Sequence, residues 1–255
     1  VRGQHAVDGA GVHLRRVLGL NTVEDFDPFL MLDGFDSVNP QDYIRGFPWH
    51  PHRGIETVTY LLHGEIEHGD SLGNKGIIRD GQCQWMTAGS GIIHQEMPKA
   101  SEILLGCQLW VNLPKKEKMT EPAYRDIKPQ VVAVVQEKNA TVRVLSGDYH
   151  NRPGAVKGEY IKVQYLDVTL EPDTIWHYQE TSNDQTLFLY LIKGTLAADE
   201  ALVNFEEKAC AILMSASSAR NTDFDEIQVK AGTEGARFFL LAAVPLKETI
   251  AWGGP

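Results

Sequence analysis

The chain has 255 residues, of which 43% are hydrophobic and 23% charged, and its formal net charge is −10. This length and composition predict a globular protein with one large β domain or two of ordinary size. The acidic balance excludes a general nucleic-acid binder and an anionic-membrane surface, because both need clustered Lys and Arg. The longest apolar run, Phe238 to Leu246, contains Pro245 and is too short to span a bilayer.

Three cysteines, Cys83, Cys107 and Cys210, are odd in number and lack CxxC spacing. They predict reduced thiols rather than a disulfide framework or a zinc knuckle. Nothing near Val1 resembles a signal peptide. The reduced thiols predict a cytoplasmic protein.

Strand signals dominate the chain. Ile55 to Leu62 is rich in β-branched and aromatic residues and is followed by a His63-Gly64 turn. Ile103 to Leu113 alternates apolar and polar residues, with Gln108 on the polar side, which predicts a half-buried strand. Many short strands separated by turns predict an all-β sandwich or barrel architecture. The other predicted strands are Gln82 to Met86, Ile92 to Met97, Tyr160 to Leu170, Thr186 to Ile192, Ala209 to Met214, Phe224 to Val229 and Ala236 to Val244.

Two short stretches of the first half recur in the second. TYLLHGEI at Thr59 to Ile66 aligns with LYLIKGTL at Leu189 to Leu196, an offset of 130 positions. MTAGS at Met86 to Ser90 aligns with MSASS at Met214 to Ser218, an offset of 128. Two matches at nearly one spacing predict a duplicated β domain, with chance similarity between strands as the rival explanation.

The stretch FPWHPHRG places His50 and His52 on either side of Pro51. Successive side chains of an extended backbone point to opposite faces, so residues two apart share a face. Pro51 disfavours a helix here. The pair is therefore either two solvated histidines or two ligands of a metal ion.

A second pair, His94 and Glu96 in GIIHQEMP, has the same spacing on a predicted strand. Three imidazoles and one carboxylate that converge from neighbouring strands suit a divalent transition metal, typically iron, with positions left for water or substrate. Zinc is less suited, because closed zinc sites favour four tetrahedral ligands that usually include cysteine. The remaining histidines are interpreted as solvated or locally hydrogen-bonded: His5, His13, His63, His68, His150 and His177.

The stretches HPHRGIETVTYLLHGEIEHGDSLGNKG and QWMTAGSGIIHQEMP, together with FDPFLMLDGF and IAWGGP, resemble the pirin family of the cupin superfamily. The resemblance implies an all-β bicupin fold of two antiparallel jelly-roll barrels. It implies one metal per chain in the N-terminal barrel, residues 1–128, with a charged and proline-containing linker from about residue 114. The C-terminal barrel, residues 129–255, is expected to be metal-free.

In that family the metal ligands are the histidines of HPH and the His and Glu of HxE, which implies His50, His52, His94 and Glu96 here. Fe(II) is the implied metal, with manganese, nickel, cobalt and copper as alternatives. Most cupins take their carboxylate ligand from the first motif, at the position of Glu56.

An even spacing from His52 leaves Glu56 open as a ligand on parity alone. The pirin resemblance assigns that role to Glu96 instead. It leaves Arg53 and Glu56 as residues that support the ligands or the structure around them without binding the metal.

The repeat offsets carry the four ligand positions onto Glu180, Ser182, Thr222 and Phe224. No set of imidazoles survives there. This agrees with a metal-free second barrel whose expected role is to cover and stabilise the first.

Several pirins resemble the cupin quercetin 2,3-dioxygenases. This implies an oxidoreductase that cleaves a flavonol such as quercetin with O2 and releases carbon monoxide. Glu96 would take the flavonol hydroxyl proton while the histidines hold the metal. The alternative is an iron-dependent, redox-sensing regulatory protein that binds a transcription factor or a metabolic enzyme. A sugar-binding or isomerase cupin has less support, because the HxE motif is pirin-like.

Overall fold

The computed structural model describes residues 1–179, 184–198, 203–205, 210–215 and 226–253. The chain forms two compact units. The first unit comprises Gly3–Glu24, Pro28–Pro129 and Leu246–Pro255, and the second comprises Val1–Arg2, Asp25–Asp27 and Gln130–Pro245. The segment from Leu246 onward therefore belongs to the unit that carries both histidine motifs.

The first unit consists of two antiparallel sheets. Its strands are β1 (Gln4–Asp8), β2 (Val12–Leu18), β3 (Phe29–Ser37), β4 (Phe47–His52), β5 (Ile55–His63), β6 (Ile66–Asp70), β7 (Lys75–Ile78), β8 (Cys83–Thr87), β9 (Ile92–Pro98), β10 (Leu104–Asn112) and β11 (Ala123–Ile127). The larger sheet has the order β1-β2-β3-β10-β5-β8-β11, and the smaller has the order β4-β9-β6-β7. Short 3-10 turns lie at Leu20–Thr22, Pro40–Asp42 and Lys115–Glu117.

Apolar side chains of both sheets are buried in the interior of the first unit, because one face of each strand carries β-branched, aromatic and other large apolar residues. One cluster has Trp110 and Ile250 packed against it, so the C-terminal segment contributes to this core. The buried members of that cluster are Val23, Leu30, Ile55, Met86, Ala88 and Ile92.

The second unit repeats this plan. Its strands are β12 (Ala133–Glu137), β13 (Ala140–Ser146), β14 (Asp148–Tyr149), β15 (Arg152–Pro153), β16 (Val163–Leu170), β17 (Ile175–Gln179), β18 (Thr186–Ala198), β19 (Val203–Phe205), β20 (Cys210–Ser215) and β21 (Glu226–Ala243). The order β12-β13-β16-β21-β18, with β20 beside β18, matches the order β1-β2-β3-β10-β5-β8 of the first unit. A 3-10 turn at Pro129–Val131 precedes it.

The stretches that align in sequence lie on corresponding strands, β5 with β18 and β8 with β20. The pairing of β17 with β21, and of β18 with β19, corresponds to the smaller sheet of the first unit. The predicted all-β fold of two antiparallel cupin barrels is therefore confirmed.

Apolar residues fill the described interior of the second barrel. On β17 and β21, Trp176 lies opposite Val229 and Tyr178 lies opposite Ile227, and all four side chains are buried. The positions that the repeat offsets identified, Glu180, Ser182, Thr222 and Phe224, lie outside the described residues. A metal-free second barrel stays a prediction.

Within the described ranges, the chain contains no helix that is long and apolar enough to cross a membrane. Cys83 and Cys107 are free and buried. Burial raises the pKa of the Cys83 thiol well above its usual value. The side chain of Cys210 lies outside the described residues.

Candidate metal centre

Strands β4 and β9 bring the two histidine motifs together. They pair antiparallel, with His50 opposite His94 and His52 opposite Ile92. Because residues two apart on a strand share a face, the three histidines turn to the inside of the barrel. Ile93, which lies between Ile92 and His94 on β9, points outward and is 48% exposed.

The three imidazoles form a compact group. Ring centroids lie 4.4 Å apart for His50 and His94, 4.8 Å for His50 and His52, and 4.9 Å for His52 and His94. One nitrogen from each ring lies within 4.8 Å of the other two. Across the part of the chain that the structure describes, this is the one group of three or more candidate ligand residues.

Burial favours the neutral form of His52 and His94, which is the form that binds a metal, and a hydrogen bond selects the tautomer of His50. Burial lowers the pKa of both His52 and His94 to about 3, and the neighbouring imidazoles act in the same direction. His50 Nδ1 lies 2.8 Å from the Pro48 carbonyl oxygen, to which it donates in the tautomer that leaves Nε2 as an acceptor. That Nε2 atom lies 3.0 Å from His52 Nε2.

His94 shows that the group fits a metal ion. Its side chain is fully buried, and within the described residues neither ring nitrogen has a hydrogen-bond partner. Buried nitrogens without a partner are costly. A divalent transition metal between the three imidazoles would bind one of the two His94 nitrogens and separate the facing nitrogens of His50 and His52.

Glu96 lies on the same face of β9 as His94 and is 4% exposed. Its Oε1 atom accepts a hydrogen bond from the Thr59 hydroxyl at 2.8 Å, and its Oε2 atom accepts one from the Gln108 amide at 3.2 Å. The group of candidate ligands contains the three histidines and does not include Glu96. Its role as a fourth ligand stays a prediction.

Thr59 and Gln108 are the residues of this site that the sequence analysis missed. They lie directly opposite each other on β5 and β10, with exposures of 1% and 7%. The predicted half-buried strand put Gln108 on a solvated face, whereas both faces of β10 are covered. An amide among the apolar residues and glycine of 104–111 was the available signal, because a buried amide needs partners.

Glu56 is also buried, at 2% exposure. Its carboxylate accepts hydrogen bonds from Trp85 Nε1 at 2.9 Å and from the Thr87 hydroxyl at 2.7 Å. Glu56 precedes Thr59 by three residues on β5, so their side chains leave opposite faces of the strand. The carboxylate of Glu56 thus points away from the face that carries Thr59 and its partner Glu96.

Gly54 explains why the even spacing from His52 does not fix the direction of the Glu56 side chain. It has a φ of +70° and links β4 of one sheet to β5 of the other. The alternation counted from His52 therefore does not continue across it. Arg53 beside it is exposed, and its Nη2 atom lies 3.1 Å from Met119 Sδ. The supporting roles of Arg53 and Glu56 stay predictions.

His68 is buried on β6, opposite Glu96 in the strand register. Its Nδ1 atom lies 2.7 Å from Gln84 Nε2, and its Nε2 atom lies 3.3 Å from Asp70 Oδ2. The ring centroid is 4.5 Å from that of Tyr124. The sequence analysis interpreted His68 as either solvated or locally hydrogen-bonded. The second interpretation is confirmed, although His68 lies in the barrel interior and not at a polar turn.

Aromatic rings from two parts of the chain pack together next to the histidine group. The Trp110 ring meets His52 edge-on, with centroids 4.9 Å apart, and the Trp252 ring centroid lies 6.1 Å from that of Trp110. The C-terminal segment is also anchored by Glu248, whose Oε2 accepts a hydrogen bond from the Lys115 backbone at 2.7 Å. The C-terminal segment thus packs against the tryptophan that contacts His52.

Comparisons with known proteins agree with this architecture. Residues 11–111 match the pirin family model, and residues 165–255 match the model of the pirin C-terminal cupin domain. A Pseudomonas aeruginosa protein provisionally named quercetin 2,3-dioxygenase is 40% identical over 99% of this chain and 88% of its own. A pirin-like protein of Caulobacter vibrioides is 39% identical over 100% of this chain and 89% of its own.

Among solved structures, a quercetin 2,3-dioxygenase from Acinetobacter baumannii superimposes with a TM-score of 0.84 at 29% identity. The match covers 100% of this chain and 88% of that one. The sequence matches extend over both barrels, and the HPH and HxE motifs lie together inside the first. The chain therefore belongs to the pirin family.

Proposed function

We propose that this protein is a metal-dependent dioxygenase that cleaves a flavonol such as quercetin with O2 and releases carbon monoxide. The observation that carries the proposal is the buried Glu96 carboxylate on the same strand face as His94, two residues away. A proton acceptor next to a metal-binding group suits a substrate with an acidic hydroxyl. The names of the Pseudomonas and Acinetobacter relatives support the same substrate class.

The metal we propose is Fe(II), held by His50, His52 and His94 with Glu96 as a fourth ligand. Imidazole and carboxylate donors also suit manganese, cobalt, nickel and copper. When bound, the metal supplies Lewis acidity towards the substrate oxygen and redox chemistry towards O2.

Glu96 takes the proton of the flavonol 3-hydroxyl in this proposal. The Thr59 hydroxyl lies within hydrogen-bond distance of both Glu96 Oε1 and Gln108 Oε1, and it has one proton to donate. It donates to Glu96 while the carboxylate is ionised and can turn to Gln108 once Glu96 is protonated. The buried network therefore accommodates the transferred proton without leaving a group unpaired.

The barrel also restricts water. His94 and Glu96 have exposures of 0% and 4%, and His52 has 9%. The Trp110 ring meets His52 edge-on, and Trp252 in turn lies 6.1 Å from Trp110. Such an interior strengthens electrostatic interactions and protects reactive species from hydrolysis.

The test is turnover by iron-loaded protein. Quercetin and O2 should be consumed in equal amounts with release of one CO per quercetin, and apo-protein and iron-treated His94→Ala protein should be inactive. Protein that binds Fe(II) yet releases no CO, with manganese, cobalt, nickel and copper also failing, would overturn the proposal. Iron binding without turnover is the result expected of a redox-sensing regulatory protein.

A further inference from the structure

Thr59 and Gln108 hold the Glu96 carboxylate from the opposite sheet. They lie on β5 and β10 of the seven-stranded sheet, whereas Glu96 lies on β9 of the four-stranded sheet. Because Thr59 and Gln108 are directly opposite each other in the strand register, their side chains reach the two oxygens of one carboxylate side by side. The contact therefore bridges the two walls of the barrel.

His94 and Glu96 differ in how much they need a metal ion. Both nitrogens of His94 are buried without a partner within the described residues, so an ion bound among the three imidazoles would satisfy one of them. Both oxygens of Glu96 already accept hydrogen bonds. A carboxylate has about four acceptor positions, so Glu96 can still bind an ion, but Thr59 and Gln108 compete for its orientation.

We propose that Thr59 and Gln108 are positioning residues that make Glu96 a detachable ligand. Glu96 would be a ligand in the metal-loaded protein, and Thr59 and Gln108 would hold its carboxylate once it detaches. There it stays within reach of the hydroxyl proton. This inference rests on the proposed function, since it explains how one carboxylate serves as ligand and as base.

Cobalt(II) titration without substrate tests the inference directly. Thr59→Val removes one hydrogen bond to Glu96 at nearly constant shape, and a hydrogen bond to a charged group is worth enough to change an equilibrium about tenfold. We expect the variant to bind Co(II) up to about tenfold more tightly, with a visible absorption spectrum shifted by firmer carboxylate ligation. Thr59→Ser should restore parent behaviour.

Thr57 offers a matched control, because it is buried on the same strand and makes no hydrogen bond to Glu96. Thr57→Val should leave cobalt affinity and spectrum unchanged. The Thr59→Val effect should also vanish in a Glu96→Gln background, where the charged ligand is gone. Gln108→Leu, which removes the other hydrogen bond, should raise cobalt affinity in the same direction.

Parent affinity and spectrum in both the Thr59→Val and Gln108→Leu proteins would overturn the inference, as would an equal rise in the Glu96→Gln background. Melting temperatures identify any variant that fails to fold, and the other variant then decides. None of these readouts needs turnover. Absence of quercetin cleavage by the parent would overturn the proposed function, whereas the cobalt results decide the role of Thr59 and Gln108.

Discussion

His50 faces His94 across strands β4 and β9, with ring centroids 4.4 Å apart. Such proximity of imidazoles is unfavourable when each must keep a lone pair towards the other, and His52 adds a third. A bound cation removes this conflict. Metal binding should therefore stabilise the folded first unit by mass action, because the unfolded chain does not hold the three rings together.

His94→Ala should abolish the metal-dependent rise in melting temperature while leaving a folded apo-protein, since both barrels have apolar cores of their own. Thermal melts with and without Fe(II) or Co(II) measure this. His63→Ala is the matched control, because His63 pairs with Asp80 at the surface. An unfolded His94→Ala protein in chelator would show that the histidine is needed for folding itself.

Purified protein should bind about one equivalent of a first-row transition metal, because one three-histidine group lies in the described residues. The described interior of the second barrel presents Trp176 and Tyr178 on β17. Elemental analysis after metal loading and desalting gives the ratio. Two equivalents of similar affinity would contradict a metal-free second barrel.

Glu96→Gln should yield a protein that keeps its metal but hardly cleaves quercetin. Three imidazoles remain to hold the ion, with affinity reduced roughly ten- to a hundredfold. Loss of a general base costs about 100- to 10,000-fold in rate. Steady-state rates at verified metal content provide the measurement. A near-parent rate would make the carboxylate a ligand only.

Acid should destabilise the apo-protein through its buried histidines. His52 and His94 have pKa values of about 3 in the folded protein, against about 6.5 when unfolded. Below pH 6.5 the unfolded chain therefore binds protons that the folded protein does not. The free energy of unfolding is greatest above pH 6.5 and falls by about 1.4 kcal/mol per pH unit for each histidine as the pH drops towards 3.

Urea unfolding in chelator at several pH values checks this slope. His94→Gln removes one of the two groups, so its slope between pH 6 and 4 should be smaller by about 1.4 kcal/mol per pH unit. His63→Gln is the control at an exposed imidazole. Identical slopes for the parent and His94→Gln would contradict the burial argument.

Trp252→Ala should weaken the packing of Trp110, the ring that contacts His52. Losing the aromatic contact with Trp110 should lower the free energy of unfolding of the first unit by about 1 kcal/mol. Chelator should also extract the metal faster from the variant. Trp252→Phe keeps a ring and should behave like the parent, whereas unchanged extraction in the alanine variant would show that the ring does not shield the ligands.

Residue spacing predicted much of the three-histidine group because β-strand alternation is local. His50 and His52 share a face because they lie two residues apart on an extended strand. The same alternation decides the face to which His94 points. Their meeting also required the β4–β9 register, which depends on the whole barrel. The pirin resemblance supplied that information, and strand periodicity did not.

Spacing failed where the chain changes sheets or where burial depends on tertiary packing. Gly54, with its positive φ, breaks the alternation between His52 and Glu56. Gln108 alternates like a surface residue, yet a second layer covers it. Spacing left Glu56 open and put Gln108 on the wrong face, because a strand's pattern does not reveal what lies on its far side.

Residues 246–253 are synthesised after the entire second unit, yet they pack on the first. A nascent chain that has reached residue 129 holds every histidine of the metal group but lacks Ile250 in its core and Trp252 beside Trp110. The order of translation thus makes synthesis of the histidine group and completion of the packing by Ile250 and Trp252 separate events, with the second barrel made between them.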